Sequence, residues 1–126
     1  MVPPSTTTID VTGSLILPGG LDYFNYFLHD DFNKFVEFSK ETLIDGTTCA
    51  VLTLICPPGI SPAKLSKSFL SASEVNRPLC DFALRVGMCE IQETTLKEME
   101  EMVRCLGIIS FLVSRTFVHL STLFFS

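Results

Sequence analysis

Histidine and positive charge are both scarce in this chain, and each shortage excludes a class of function. The 126 residues contain two histidines, His29 and His119, so a histidine-rich metal centre cannot be assembled from this chain alone. Nine Lys and Arg stand against fourteen Asp and Glu, a net charge of −5. That balance argues against nucleic acid as a partner, because a binding face needs clustered positive charge. The five cysteines (Cys49, Cys56, Cys80, Cys89 and Cys105) are odd in number and show no C-x-x-C spacing. They support neither a disulfide framework nor a zinc knuckle and read as reduced, mostly buried thiols of a cytoplasmic protein. Residues 1–13 contain no Lys or Arg and no apolar core of a secretory signal. No G-x-S-x-G elbow, G-x-G-x-x-G loop or Walker lysine motif occurs. No repeat or low-complexity tract stands out.

Apolar residues are abundant. Hydrophobic residues make up 47% and charged residues 18%, with a mean hydropathy of +0.41. These values exclude intrinsic disorder. They are also apolar for a free-standing domain, so much of the surface must be buried in a core, a partner or a membrane. The length suits one domain. It also suits half of an eight-stranded βα barrel, which takes about 250 residues.

Strand and helix signals alternate along the chain. In residues 11–27, Pro18-Gly19-Gly20 is a turn signal. Leu15-Ile16-Leu17 before it reads as a short strand, and the aromatic run 21–27 after it as another. Residues 33–45 switch to helical spacing, with Phe32, Phe35, Val36, Ser39 and Leu43 on one face and Gly46 available as a left-handed terminator. The β-branched apolar run TTCAVLTLIC (47–56) reads as a strand buried on both faces. Ser61-Pro62 predicts an N-cap and first helical residue, followed by Leu65, Phe69 and Ala72. DFALRVGM (81–88) is a third strand. Thr95 and Glu98 have capping-box spacing ahead of a stripe of Leu96, Met99, Val103 and Leu106, and Gly107 closes that helix. Residues 108–113 are a fourth strand. Such alternation implies α/β architecture with parallel strands and right-handed crossovers. It fits a small open sheet or the first four βα units of a TIM-like (β/α)8 barrel.

Residues 105–126 form a long apolar stretch, about the length of a membrane span. A membrane helix would place Arg115 and His119 inside the bilayer, and a mid-span Arg costs roughly 2.5–3.5 kcal/mol. The favoured reading is a buried strand followed by an apolar tail, so a membrane is not an expected partner.

Four segments together resemble the dihydropyrimidinase family of the amidohydrolase superfamily, which includes the non-enzymatic dihydropyrimidinase-related (collapsin response mediator) proteins. They are DVTGSLILPGGLD (10–22), the stretch 35–48 ending LIDGTT, CDFALRV (80–86), and KEMEEMV (97–103) leading to GIISF (107–111). The resemblance implies a partial (β/α)8 barrel over residues 18–113. Residues 1–17 would then be a remnant of an N-terminal strand segment, and residues 114–126 an apolar tail.

In active members, the resemblance further implies, two zinc ions activate a bridging water against a cyclic amide. The first two ligands are His-x-His near the end of the first strand, where period 2 turns both imidazoles inward. Phe24 and Tyr26 stand at those positions here. A phenyl ring cannot ligate a metal, and a phenol is a poor substitute for imidazole. Val118 stands at the position of the family's carboxylated lysine, in a register that fades after Val113. The chain is therefore expected to have no catalytic residues, no metal ligands and no cofactor.

The remaining candidates are weak. His29 with Asp30 and Asp31 reads as a polar loop capping the next helix, the acids favourably placed at its dipole. His119 is incidental in the tail. Glu98, Glu100 and Glu101 read as a solvated helix face, with Lys97–Glu101 a minor i,i+4 pair. Arg85 lies where the family strand often carries histidine.

The expected function is that of a catalytically inactive dihydropyrimidinase-like protein. It would act through homo- or hetero-oligomers with dihydropyrimidinase-like subunits and, on the mediator branch, in cytoskeletal signalling. The alternative is a metal-dependent cyclic-amide hydrolase working as part of a longer or assembled chain.

Overall fold

The structure is a computed structural model and describes residues 6–28 and 32–113. Its elements follow the order β1 (Gly20–Leu28), α1 (Phe32–Ile44), β2 (Thr47–Cys56), α2 (Pro62–Val75), β3 (Asp81–Met88), α3 (Thr95–Leu106) and β4 (Ser110–Val113). The strands lie in chain order, and every neighbouring pair is parallel. They curl into a half-barrel, a partial TIM-like barrel of the α/β class.

Alternation along β2 and β3 sets the two faces. Ala50, Leu52 and Leu54 of β2 join Leu84, Val86 and Met88 of β3 in the core beneath the helices. Phe35 and Phe32 of α1, Phe69 of α2 and Phe82 of β3 meet there in mostly edge-to-face contacts, their ring centroids 4.9–6.3 Å apart. Buried Ser39 ties α1 to the loop before β3. Its hydroxyl donates to the Val36 carbonyl at 2.6 Å and accepts from the Leu79 N–H at 3.0 Å. Gly46 and Gly107 end α1 and α3 with φ of 87° and 68°, a region most side chains avoid.

Three expectations change. Leu15–Leu17 forms no strand, and its three side chains are exposed; β propensity alone does not supply a neighbouring strand to pair with. The buried face of α1 closes on Thr42 rather than Leu43, because the Thr42 hydroxyl satisfies itself on the Phe38 carbonyl at 2.8 Å. α3 is rotated by about one residue. Thr95 and Met102 are buried, with Met99 and Leu106 packed beside them, while Leu96 is 72% exposed. The cause of that rotation lies at the carboxyl ends of the strands.

Candidate functional site at the carboxyl ends of the strands

In parallel βα barrels, chemistry is placed at the carboxyl ends of the strands. Here β2 and β3 end in Cys56 and Met88, and their loops lead into the N-termini of α2 and α3. Between them lies a cavity of about 160 Å³, lined by groups including Cys56, Ile60, Ser61, Thr95 and Glu98.

Glu98 organises this corner. Its Oε2 accepts from the Ser61 hydroxyl at 2.6 Å and from the Ala63 N–H at 3.2 Å. Ser61 Oγ in turn accepts from the Lys64 N–H at 3.3 Å, as the sequence predicts for the N-cap of α2. A carboxylate on α3 thus neutralises free N–H groups and the positive dipole end of α2. Satisfying them requires Glu98 to face inward, which sets the rotation of α3. The expected capping box does not form. Thr94 is the N-cap of α3 and makes no side-chain cap. Thr95 Oγ1 instead accepts from the Gln92 N–H at 2.7 Å, pinning the loop before α3. Glu98 is therefore not part of a solvated acidic face. The outer surface of α3 carries an ion pair between Glu100 and Arg104 at 2.8 Å.

The Cys56 thiol donates to the Ile60 carbonyl oxygen at 3.2 Å. Burial pushes its pKa up from 9.0 to about 12, with Cys89 and then Glu98 adding to the rise. Burial likewise raises Cys80 and Cys89. A thiol held protonated is a poor nucleophile and a poor metal ligand at neutral pH. All five cysteines are free. Cys56, Cys80 and Cys89 are buried, while Cys105 is exposed.

On the concave face, away from the helices, strand register brings Tyr26, Thr53, Arg85 and Ser110 into one row. Arg85 Nε donates to Ser110 Oγ at 3.1 Å, linking β3 to β4. Gly87 lets the next layer close, since a Cβ there would lie 2.9 Å from Ile55 Cδ1 and 3.2 Å from Thr53 Cγ2. Thr53 is fully buried, and its hydroxyl makes no hydrogen bond.

Of the positions singled out from sequence, Tyr26 pairs in register with Thr53, and its phenol ring is half exposed. Phe24 lies in β1 at a register shift between Asp22 and Asn25. Val118, His29, Asp30, Asp31, Arg115 and His119 lie outside the described residues. Among the described residues, no three His, Cys, Asp or Glu side chains come together as a metal-binding group. Phe24 and Tyr26 of β1 carry a phenyl ring and a phenol. Among the same residues, no helix is long and apolar enough to cross a membrane.

Four parallel strands with three crossover helices on one face define one part of a βα barrel. No family model matches the chain. Dihydropyrimidinase-related protein 5 of Mus musculus and of Homo sapiens is 33% identical to it over 132 residues, covering 95% of this chain and 22% of theirs. Dihydropyrimidinase of Rattus norvegicus is 25% identical over 121 residues, covering 88% of this chain and 23% of its own. The chain belongs to the dihydropyrimidinase and dihydropyrimidinase-related family. It spans about a fifth of the length of the curated relatives it matches.

Proposed function

We propose that the chain is a catalytically inactive, cytoplasmic dihydropyrimidinase-like protein that acts through association with dihydropyrimidinase-like subunits. The observation that carries this reading is the residue chemistry of β1. Phe24 and Tyr26 occupy the positions that the family resemblance assigns to histidine ligands. A phenyl ring offers a divalent ion no lone pair, and a phenol is a poor replacement for imidazole. Identity to dihydropyrimidinase-related protein 5 across 95% of the chain supports the non-enzymatic branch.

The match to rat dihydropyrimidinase favours a second reading, a metal-dependent hydrolase of cyclic amides formed as part of a longer or assembled chain. That reading needs ligands from outside the described residues. One experiment separates the two. The protein is expressed with added zinc, its bound metal is measured, and ring opening of dihydrouracil and hydantoin is followed. Only trace zinc and no turnover are expected. Two zinc ions per chain with turnover would overturn the inactive reading.

A further inference from the structure

Arg85 of β3 places a charge on the concave face and spends only part of it within the chain. Its Nε donates to Ser110 Oγ at 3.1 Å. Its two Nη groups make no hydrogen bond or ion pair with the described residues. Beside it in register, Thr53 of β2 is fully buried, and its Oγ1 has no hydrogen-bond partner. Neighbouring strands lie about 4.8 Å apart, so the two side chains share one small region of the face. A buried hydroxyl without a partner is costly, and a guanidinium drawn out of water needs an anion. The Nη groups and the Thr53 hydroxyl can all donate, and the row offers them no acceptor.

We propose that Arg85 and Thr53 together hold the carboxylate of a small organic acid on the concave face. The two Nη groups form a planar fork that matches the two oxygens of a carboxylate. An oxygen seated on that fork also gives the neighbouring Thr53 hydroxyl the acceptor it lacks. Two residues earlier along the strands, Val51 and Ala83 flank the row, and two residues later Leu112 does so. All three are apolar, so the acid that fits carries a short apolar body rather than a second charge. Ala83 is exposed, and Arg85 and Leu112 are only half-buried, so the row can be reached from the concave side.

The acidic residue of β3 does not compete for the fork. Asp81 stands four residues before Arg85, about 13 Å along the strand. The inference goes beyond the association reading, and its test does not depend on bound zinc or on turnover.

An NMR titration of the isotope-labelled full chain with benzoate tests the proposal. Benzoate should bind saturably, with a Kd of about 10 mM or tighter, and shift the backbone amides of residues 83–87 and 110–112. Benzamide, which has the same shape without the charge, should not bind. Arg85→Met should weaken benzoate binding at least about 10-fold, and Arg85→Lys, a charge without the fork, at least about 3-fold. Thr53→Val should also weaken it at least about 3-fold. The same variant without ligand should melt higher than the wild type, because the orphaned hydroxyl is gone. Lys97→Met removes a charge from the exposed surface of α3 and should leave binding unchanged. Circular dichroism checks the fold of each variant. A benzoate titration without saturation overturns the proposal, as does equal binding of benzamide or binding of inorganic phosphate in place of benzoate. So does a folded Arg85→Met or Thr53→Val variant that binds benzoate as the wild type does.

Discussion

Glu98 and Ser61 lie 37 residues apart in the chain, yet they share a 2.6 Å hydrogen bond. Because hydrogen bonds to charged groups contribute more than neutral ones, Glu98→Ala should destabilise the fold by about 2 kcal/mol. Glu98→Gln keeps an acceptor for the Ala63 N–H but loses the charge, and should cost roughly half as much. Equilibrium urea unfolding of the three proteins measures the order. A loss below about 0.5 kcal/mol in Glu98→Ala would show that the carboxylate is solvated rather than capping α2. The Cys56 thiol lines the same cavity, and its burial gives it a pH response. Cys56 has a folded pKa of about 12 against an ordinary 9.0, so folding favours its protonated form. That stability is fully present below pH 9 and is lost as pH rises toward 12. Thermal melts across this window should fall, and less steeply in Cys56→Ala. Under native conditions at pH 8, iodoacetamide should label exposed Cys105 well before buried Cys56, Cys80 and Cys89.

At the scale of elements, local signals set most of the types and tertiary contacts set the faces. The bounds of β2 and β3 agree with the runs read from sequence, because the second half of each strand is almost wholly buried and apolar. The Ser61-Pro62 start of α2 and the Gly107 end of α3 are equally legible, since each rests on backbone chemistry within a turn of the residue itself. The facing of α3 is not. Its apolar residues permit two neighbouring stripes, and the choice between them is made by uncapped N–H groups on another helix. The rotation has a measurable consequence. Met102, fully buried, should cost about 2–5 kcal/mol when changed to Ala. Leu96, which belongs to the stripe read from sequence but is 72% exposed, should cost less than about 0.5 kcal/mol. Reversed values in denaturant unfolding would restore the other stripe.

At the scale of the whole molecule, apolar composition and half-barrel geometry belong to one account. Among the described residues, a chain with 47% hydrophobic residues covers one face of its four-stranded sheet with helices. The zinc measurement addresses this scale, asking whether the strand ends hold metal. The sequence by itself determined the βα alternation, the parallel sheet and the family. All of these depend on residue type and spacing within short windows. Tertiary structure alone decided that Glu98 caps α2 and that Cys56 is held protonated. It also decided that Leu15–Leu17 stays outside the sheet and that Arg85 is tied to Ser110. Each of those outcomes depends on groups brought together from distant parts of the chain. Their energies exist only after the backbone has folded, so no local pattern encodes them.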